Sequence, residues 1–110
     1  MAILKENPIL SDYQQYMKTI CAERGWDKAD TLQTWLLFTE EVGELAKAIR
    51  DTNGLFQEKD KTDVRENLAG EFADVLSYIF DLANQLNVDL EQAFRKKEAI
   101  NAAREWSKID

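Results

Sequence analysis

Two short acidic stretches are the part of this sequence best equipped for chemistry: Glu40-Glu41-Val42-Gly43-Glu44 and Glu71-Phe72-Ala73-Asp74. At about 100° per residue, acids three or four positions apart project from one side of a helix, so each stretch presents a carboxylate patch. Acids on a solvated helix usually find Lys or Arg at that spacing, and here only Glu44 does, in Lys47. Around Glu40, Glu41, Glu71 and Asp74 those positions are apolar, neutral or acidic, and like charges so placed destabilise one another. A hard divalent cation, Mg²⁺ or Mn²⁺, is the natural source of the missing charge, because such ions take all-oxygen ligand sets. The chain has no His, which removes the Glu-x-x-His ligands of carboxylate-bridged di-iron bundles and the commonest zinc ligand. A solvated or salt-bridged face is the ordinary meaning of Glu-x-x-Glu, and spacing alone leaves it open.

Helices must position these acids. Ser11 with Gln14 reads as a capping box for helix 1, which Gly25 stops; Tyr13, Tyr16, Met17, Ile20 and Cys21 form its apolar face. Cys21 reads as a core residue, with no adjacent base to activate its thiol. Asp30 with Gln33 opens helix 2, running 31–51 before the Asn53-Gly54 stop signal, with Leu32, Trp35, Leu36, Val42, Leu45, Ala46 and Ile49 as its apolar side. Gly43 costs about 1 kcal/mol against Ala in a helix interior, so its place predicts close approach of another helix or of a ligand. The charged stretch 52–66 is a surface loop, whose Lys59 and Lys61 are secondary candidates to fold over a phosphate.

Helix 3, near 67–86, carries two apolar stripes, Leu68-Phe72-Val75-Ile79-Leu82-Leu86 and Ala69-Ala73-Leu76-Phe80-Ala83, which predict that it is largely buried. Beside them runs Asn67-Glu71-Asp74-Tyr78-Asp81, and no Lys or Arg occurs from Glu66 to Phe94, which suits a cleft. Asp89 with Gln92 opens helix 4, reaching about Trp106; its core line Leu90-Phe94 continues into Lys97, Asn101 and Arg104. Those cationic groups either face the carboxylate cleft and hold substrate oxygens or snorkel out at a bundle end.

The expected fold is all-α, four main helices forming one domain over residues 1–110. The net charge of −7 argues against a nucleic-acid polymer as partner. The lone Cys, the lack of a signal peptide and of an apolar spanning run point to a cytoplasmic protein with no membrane partner.

Glu41-Val42-Gly43-Glu44-Leu45, then Glu71-x-x-Asp74 beginning 27 positions after Glu44, then Lys97, Asn101 and Arg104 resemble the MazG-like all-α nucleoside triphosphate pyrophosphohydrolases. The resemblance runs from Glu23-Arg24-Gly25-Trp26 to Arg104. It implies a MazG-like bundle that hydrolyses a nucleoside triphosphate, often a deoxynucleotide, to the monophosphate and pyrophosphate with Mg²⁺, in nucleotide-pool house-cleaning. By motif position Glu41, Glu44, Glu71 and Asp74 would be metal ligands, and Lys97, Asn101 and Arg104 would contact phosphates or sugar. It also implies a homodimer or homotetramer whose cleft a neighbouring subunit completes. Two departures stand out: Ile100 replaces the second Lys many relatives carry before the Asn, and Glu105-Trp106 replaces an Arg-Tyr-Pro-like run.

Glu40, the acid left over by that assignment, is a candidate catalytic residue with Glu41, to orient or deprotonate the attacking water. Trp35 and Phe38 are candidates to stack on a base, as are Trp26 and Trp106 from another subunit, though aromatics at helical spacing are more often core. Two rivals remain: a phosphoribosyl-ATP pyrophosphohydrolase-like activity, and a non-catalytic acidic interaction module docking a basic partner.

Overall fold

A computed structural model describes residues 1–58 and 61–109, which form four α-helices and, among the described residues, no strand. They are α1 (Leu10–Arg24), α2 (Thr31–Thr52), α3 (Val64–Gln85) and α4 (Leu90–Ala103), with one 3₁₀ turn at Trp26–Lys28. None of these helices is long and apolar enough to cross a membrane.

The expected signals at the ends of α2 and at Gly25 are present. The Gln33 N–H donates to Asp30 at 2.8 Å and the Gln33 side chain returns to the Asp30 N–H at 3.0 Å. Gly25 takes a left-handed φ of 74°, which lets its N–H reach back to the last turn of α1. Other boundaries moved. At the start of α1 it is Asp12 that accepts the Ile9 N–H, at 3.0 Å, so Ser11 is already inside the helix. Gln14 is drawn away from any cap. Its amide donates to the Val88 carbonyl at 2.6 Å and accepts from the Leu90 N–H at 3.1 Å, clasping α1 to the α3–α4 turn. Helix α3 starts three residues early, after Asp63 in a left-handed conformation, and α4 ends three residues early. The Trp106 indole folds back and donates to the Asn101 carbonyl at 2.8 Å, satisfying a helix end that propensity alone would have extended.

Helices α2 and α3 form an antiparallel pair, with α1 across α3 and α4 against α1. Met17, Ile20 and Cys21 of α1 pack on Phe80 of α3, and Tyr13 stacks on Phe80 at 6.0 Å. The apolar patterns of α2 and α3 are only partly used inside the chain. Toward α3, α2 turns Thr34, Phe38, Glu41, Leu45, Ala48 and Asp51, of which Thr34, Ala48 and Asp51 are buried. Leu32 and Leu36 stay 70% and 62% exposed, with Trp35, Val42, Phe72, Leu76 and Phe94 also open. The expectations that helix 3 is largely buried and that Phe94 faces the core therefore do not hold in a single chain, because an apolar stripe announces a covered face without naming the cover. Gly43 likewise faces open space: among the described residues, a Cβ there would meet nothing within 4 Å.

Candidate metal centre

The antiparallel register of α2 and α3 sets Glu41 opposite Glu71 and Asp74. One carboxylate oxygen from each lies within 4.8 Å of the others. Ligands on opposite sides of a Mg²⁺ ion stand about 4.2 Å apart, twice the metal–oxygen distance, so small side-chain rotations would close the cluster. Glu71 Oε2 is buried and has no hydrogen-bond partner among the described residues, a costly state that a cation would relieve. Burial first, and then the charges of Asp74, Glu71, Glu40 and Glu44, push the Glu41 carboxyl above its usual range. Among the described residues none of the five acids has an ion-pair partner. An all-carboxylate set that repels itself and holds an orphaned buried oxygen fits a hard divalent cation.

Two cavities meet at this cluster, and Asp74 lines both. The first, about 610 Å³ between the C-terminal half of α2 and the start of α3, is polar: Glu44 and Glu71 share it with Lys47, Lys61, Asn67 and Gly70. Lys61 Nζ stands 2.8 Å from Asp51 Oδ2, while Lys59 lies outside the described residues. The second cavity, about 790 Å³, opens between α1, the 3₁₀ turn, α2 and α3, with Glu41 at its edge and walls that include Met17, Ile20, Trp26, Leu37 and Tyr78. The Arg24 guanidinium covers the Trp26 ring at 4.8 Å.

The residues singled out in the sequence divide accordingly. Glu41, Glu71 and Asp74 converge, and Glu44 lines the polar cavity with the latter two. The stripe Asn67-Glu71-Asp74-Tyr78-Asp81 lines the two cavities along α3. Glu40 is exposed and lines neither cavity, but its charge helps raise the Glu41 and Tyr78 pKa values. Trp35 and Phe38 line neither; they pack on each other at 5.5 Å beside the open apolar face. Lys97 and Asn101 sit on α4 and Arg104 immediately after its last residue, all outside both cavities, and Arg104 donates to Asn101 at 3.3 Å. Sequence reasoning passed over Lys47, read only as a neighbour of Glu44, and Tyr16, Met17, Ile20 and Cys21, whose helical spacing reads as core although they also wall a cavity.

The family profile of the MazG nucleotide pyrophosphohydrolase domain matches residues 29–103, which contain both acid patches. The chain belongs to this family. Relatives of this MazG domain include a dATP/dGTP diphosphohydrolase of cyanophage S-2L, 39% identical over 71 residues, 64% of this chain and 53% of that protein. The mouse dCTP pyrophosphatase 1 is 35% identical over 107 residues, 88% of this chain and 59% of that protein. An uncharacterized Bacillus subtilis protein, YvdC, is 29% identical over 91 residues, 78% of this chain and 86% of that protein. The MazG domain thus spans a little over half the length of the two relatives whose substrates are named.

Proposed function

We propose that this chain hydrolyses nucleoside triphosphates, deoxynucleotides above all, to the monophosphate and pyrophosphate, with Mg²⁺ or Mn²⁺ held by Glu41, Glu44, Glu71 and Asp74. The observation that carries this reading is the position of the acid cluster, at the junction of a polar cavity containing Lys47 and Lys61 and an apolar cavity containing Trp26. A nucleotide has the same division, an anionic end and a flat aromatic end joined at the α-phosphate. The activities for which the phage and mouse relatives are named support a deoxynucleoside triphosphate as substrate.

Bound at the carboxylates, the cation supplies Lewis-acid polarisation of the α-phosphoryl group and neutralises charge on the leaving pyrophosphate. Water attacks the α-phosphorus, and the bond from that phosphorus to the α,β-bridging oxygen breaks. Glu40, beside Glu41, orients that water and accepts its proton. Lys47 and Lys61 hold pyrophosphate oxygens in the polar cavity, while Trp26 stacks on the base in the other.

The same reading makes the working form a homodimer or homotetramer. The radius of gyration is 17.2 Å, where a compact chain of this length has about 13 Å. The surface of 8786 Å² exceeds the about 6,200 Å² of a folded monomer of this mass, an excess the size of an obligate interface. A second copy covering the open face would bring Lys97 and Asn101 of its α4, and Arg104 just beyond it, toward the phosphates. A house-cleaning role in the cytoplasm, clearing surplus or aberrant deoxynucleotides, follows as part of the proposal.

The test is a product assay with each ribo- and deoxynucleoside triphosphate and Mg²⁺, separating mono- from diphosphate and detecting pyrophosphate. Monophosphate plus pyrophosphate, lost with chelator and in Glu41→Gln, is the expected result. Absence of turnover with every nucleotide overturns the proposal.

A further inference from the structure

The second cavity is lined by a carboxylate that the metal chemistry leaves unused. Asp81 lies seven residues beyond Asp74 on α3, so the two carboxylates share a face, turned by about 20° and separated by about 10.5 Å along the axis. Both line the same cavity, with Tyr78 between them. That separation matches the span of a nucleoside from its 5′-phosphate to the far edge of its base. A base whose α-phosphate sits at the metal cluster therefore presents its Watson–Crick edge at the depth of Asp81.

The surroundings of Asp81 fix what it can accept. Gln85 Nε2 donates to Asp81 Oδ1 at 3.3 Å and to Thr34 Oγ1 at 2.9 Å, while Gln85 Oε1 takes the Thr31 hydroxyl at 2.9 Å. Both ends of the Gln85 amide are thus committed, and it cannot flip to present a carbonyl to the carboxylate. Cys21 is buried against the same group, its thiol pKa pushed up to about 11 by burial first and then by the charges of Asp81 and Asp27. Among the described residues Asp81 has no ion-pair partner. It is a half-buried, oriented acceptor with lone pairs to spare, in the wall of a cavity that Met17, Ile20, Trp26 and Leu37 share with Arg24 and Lys28.

We propose, resting on the pyrophosphohydrolase reading, that Asp81 is a specificity-determining residue that selects bases with an amino group at pyrimidine C4 or purine C6 (cytosine, adenine) over bases with a carbonyl there (uracil, thymine, guanine). The N4 or N6 amino group donates into the carboxylate; uracil and thymine bring O4, and guanine O6, to that same position, and two acceptors meet there without a proton between them. A site built around a half-buried acceptor disfavours a ligand that sets another acceptor against it.

The experiment measures kcat/KM for dCTP, dATP, dGTP, dUTP and dTTP in the parent and Asp81→Asn, alongside dCMP and dUMP affinity by calorimetry with Mg²⁺ present. The parent is expected to favour dCTP and dATP over dUTP, dTTP and dGTP by about ten- to a hundredfold, the range one good base contact supplies. Asp81→Asn, whose amide donates to O4, should cut that ratio at least tenfold and shift the dCMP-to-dUMP affinity ratio the same way. Asp81→Ser carries the same comparison if the Asn variant does not fold. Equal use of dUTP and dCTP by the parent, or an unmoved ratio in a folded, active variant, overturns the proposal. A parent inactive on every nucleotide, but with an Asp81-dependent preference for dCMP, removes the pyrophosphohydrolase reading and leaves the role of Asp81 standing. Inactivity with no such preference removes both.

Discussion

Glu41 of α2 and Asp74 of α3 face each other across the antiparallel pair with carboxylate oxygens no more than 4.8 Å apart. Burial first, and then the charge of Asp74, make Glu41 hold its proton to higher pH than in an unfolded chain. Above the ordinary glutamate value the native state binds more protons than the unfolded one, so this group's contribution to stability falls as pH rises through the raised pKa. Without divalent ions the melting temperature of the parent should therefore decline more steeply than that of Glu41→Gln over this interval. Mg²⁺ should stabilise the parent more at neutral than at acidic pH, by about 2.7 kcal/mol at a hundred times its Kd. Equal slopes for the two proteins in thermal scans would count against the cluster as a cation site.

The Lys61–Asp51 pair ties the chain after α2 to the floor of the polar cavity. Asp51 is only 4% exposed, and the Lys61 hydrogen bond holds its carboxyl below the usual range. A depressed carboxyl stabilises the fold above its unfolded pKa, and this is lost as pH falls through the folded one. Asp51→Asn should lower the melting temperature at neutral pH, with a difference that closes in acid. Lys61→Met should melt lower as well, and raise KM for a triphosphate by more than it lowers kcat.

The sequence spoke clearly where side chains answer to local geometry. Asp30 with Gln33, Gly25 and the stripe from Asn67 to Asp81 depend on helical spacing and on one or two hydrogen bonds. It was silent on which apolar face meets which neighbour. Thr34 and Ala48 are buried against α3 while Leu32 and Leu36 look outward, because the closer-packed face of α2 needs small residues and the open face needs area. Nothing local marks Met17 and Cys21 as both core and cavity wall, since that depends on where α2 lies. The return of Trp106 to Asn101 depends on a side chain beyond the helix, which capping patterns do not encode.

Leu36, 62% exposed on the open face of α2, tests the assembly. Leu36→Glu places a charge where a second copy would bury it, at a cost of several kcal/mol. Light scattering should give a monomer for this variant and an oligomer for the parent, with helical circular dichroism kept. Triphosphate turnover should fall with the oligomer, because both cavities of a single chain lack the cations of α4. A monomeric parent would sink the prediction.

Gly43 offers a sharper test, because its effect should change sign. It lies on the same outward face as Leu36, and in the single chain a Cβ there meets nothing. In isolation Gly43→Ala should stabilise α2 by about 1 kcal/mol through helix propensity, raising the melting temperature by about 4–8 °C. That gain is expected in a Leu36→Glu background, where the face stays in water. In the parent, a helix of the second copy approaching the glycine would meet the new methyl group. Gly43→Ala should then weaken the oligomer and reduce turnover. Stabilisation in both backgrounds would mean that no partner comes close at Gly43, and that the glycine serves neither assembly nor site.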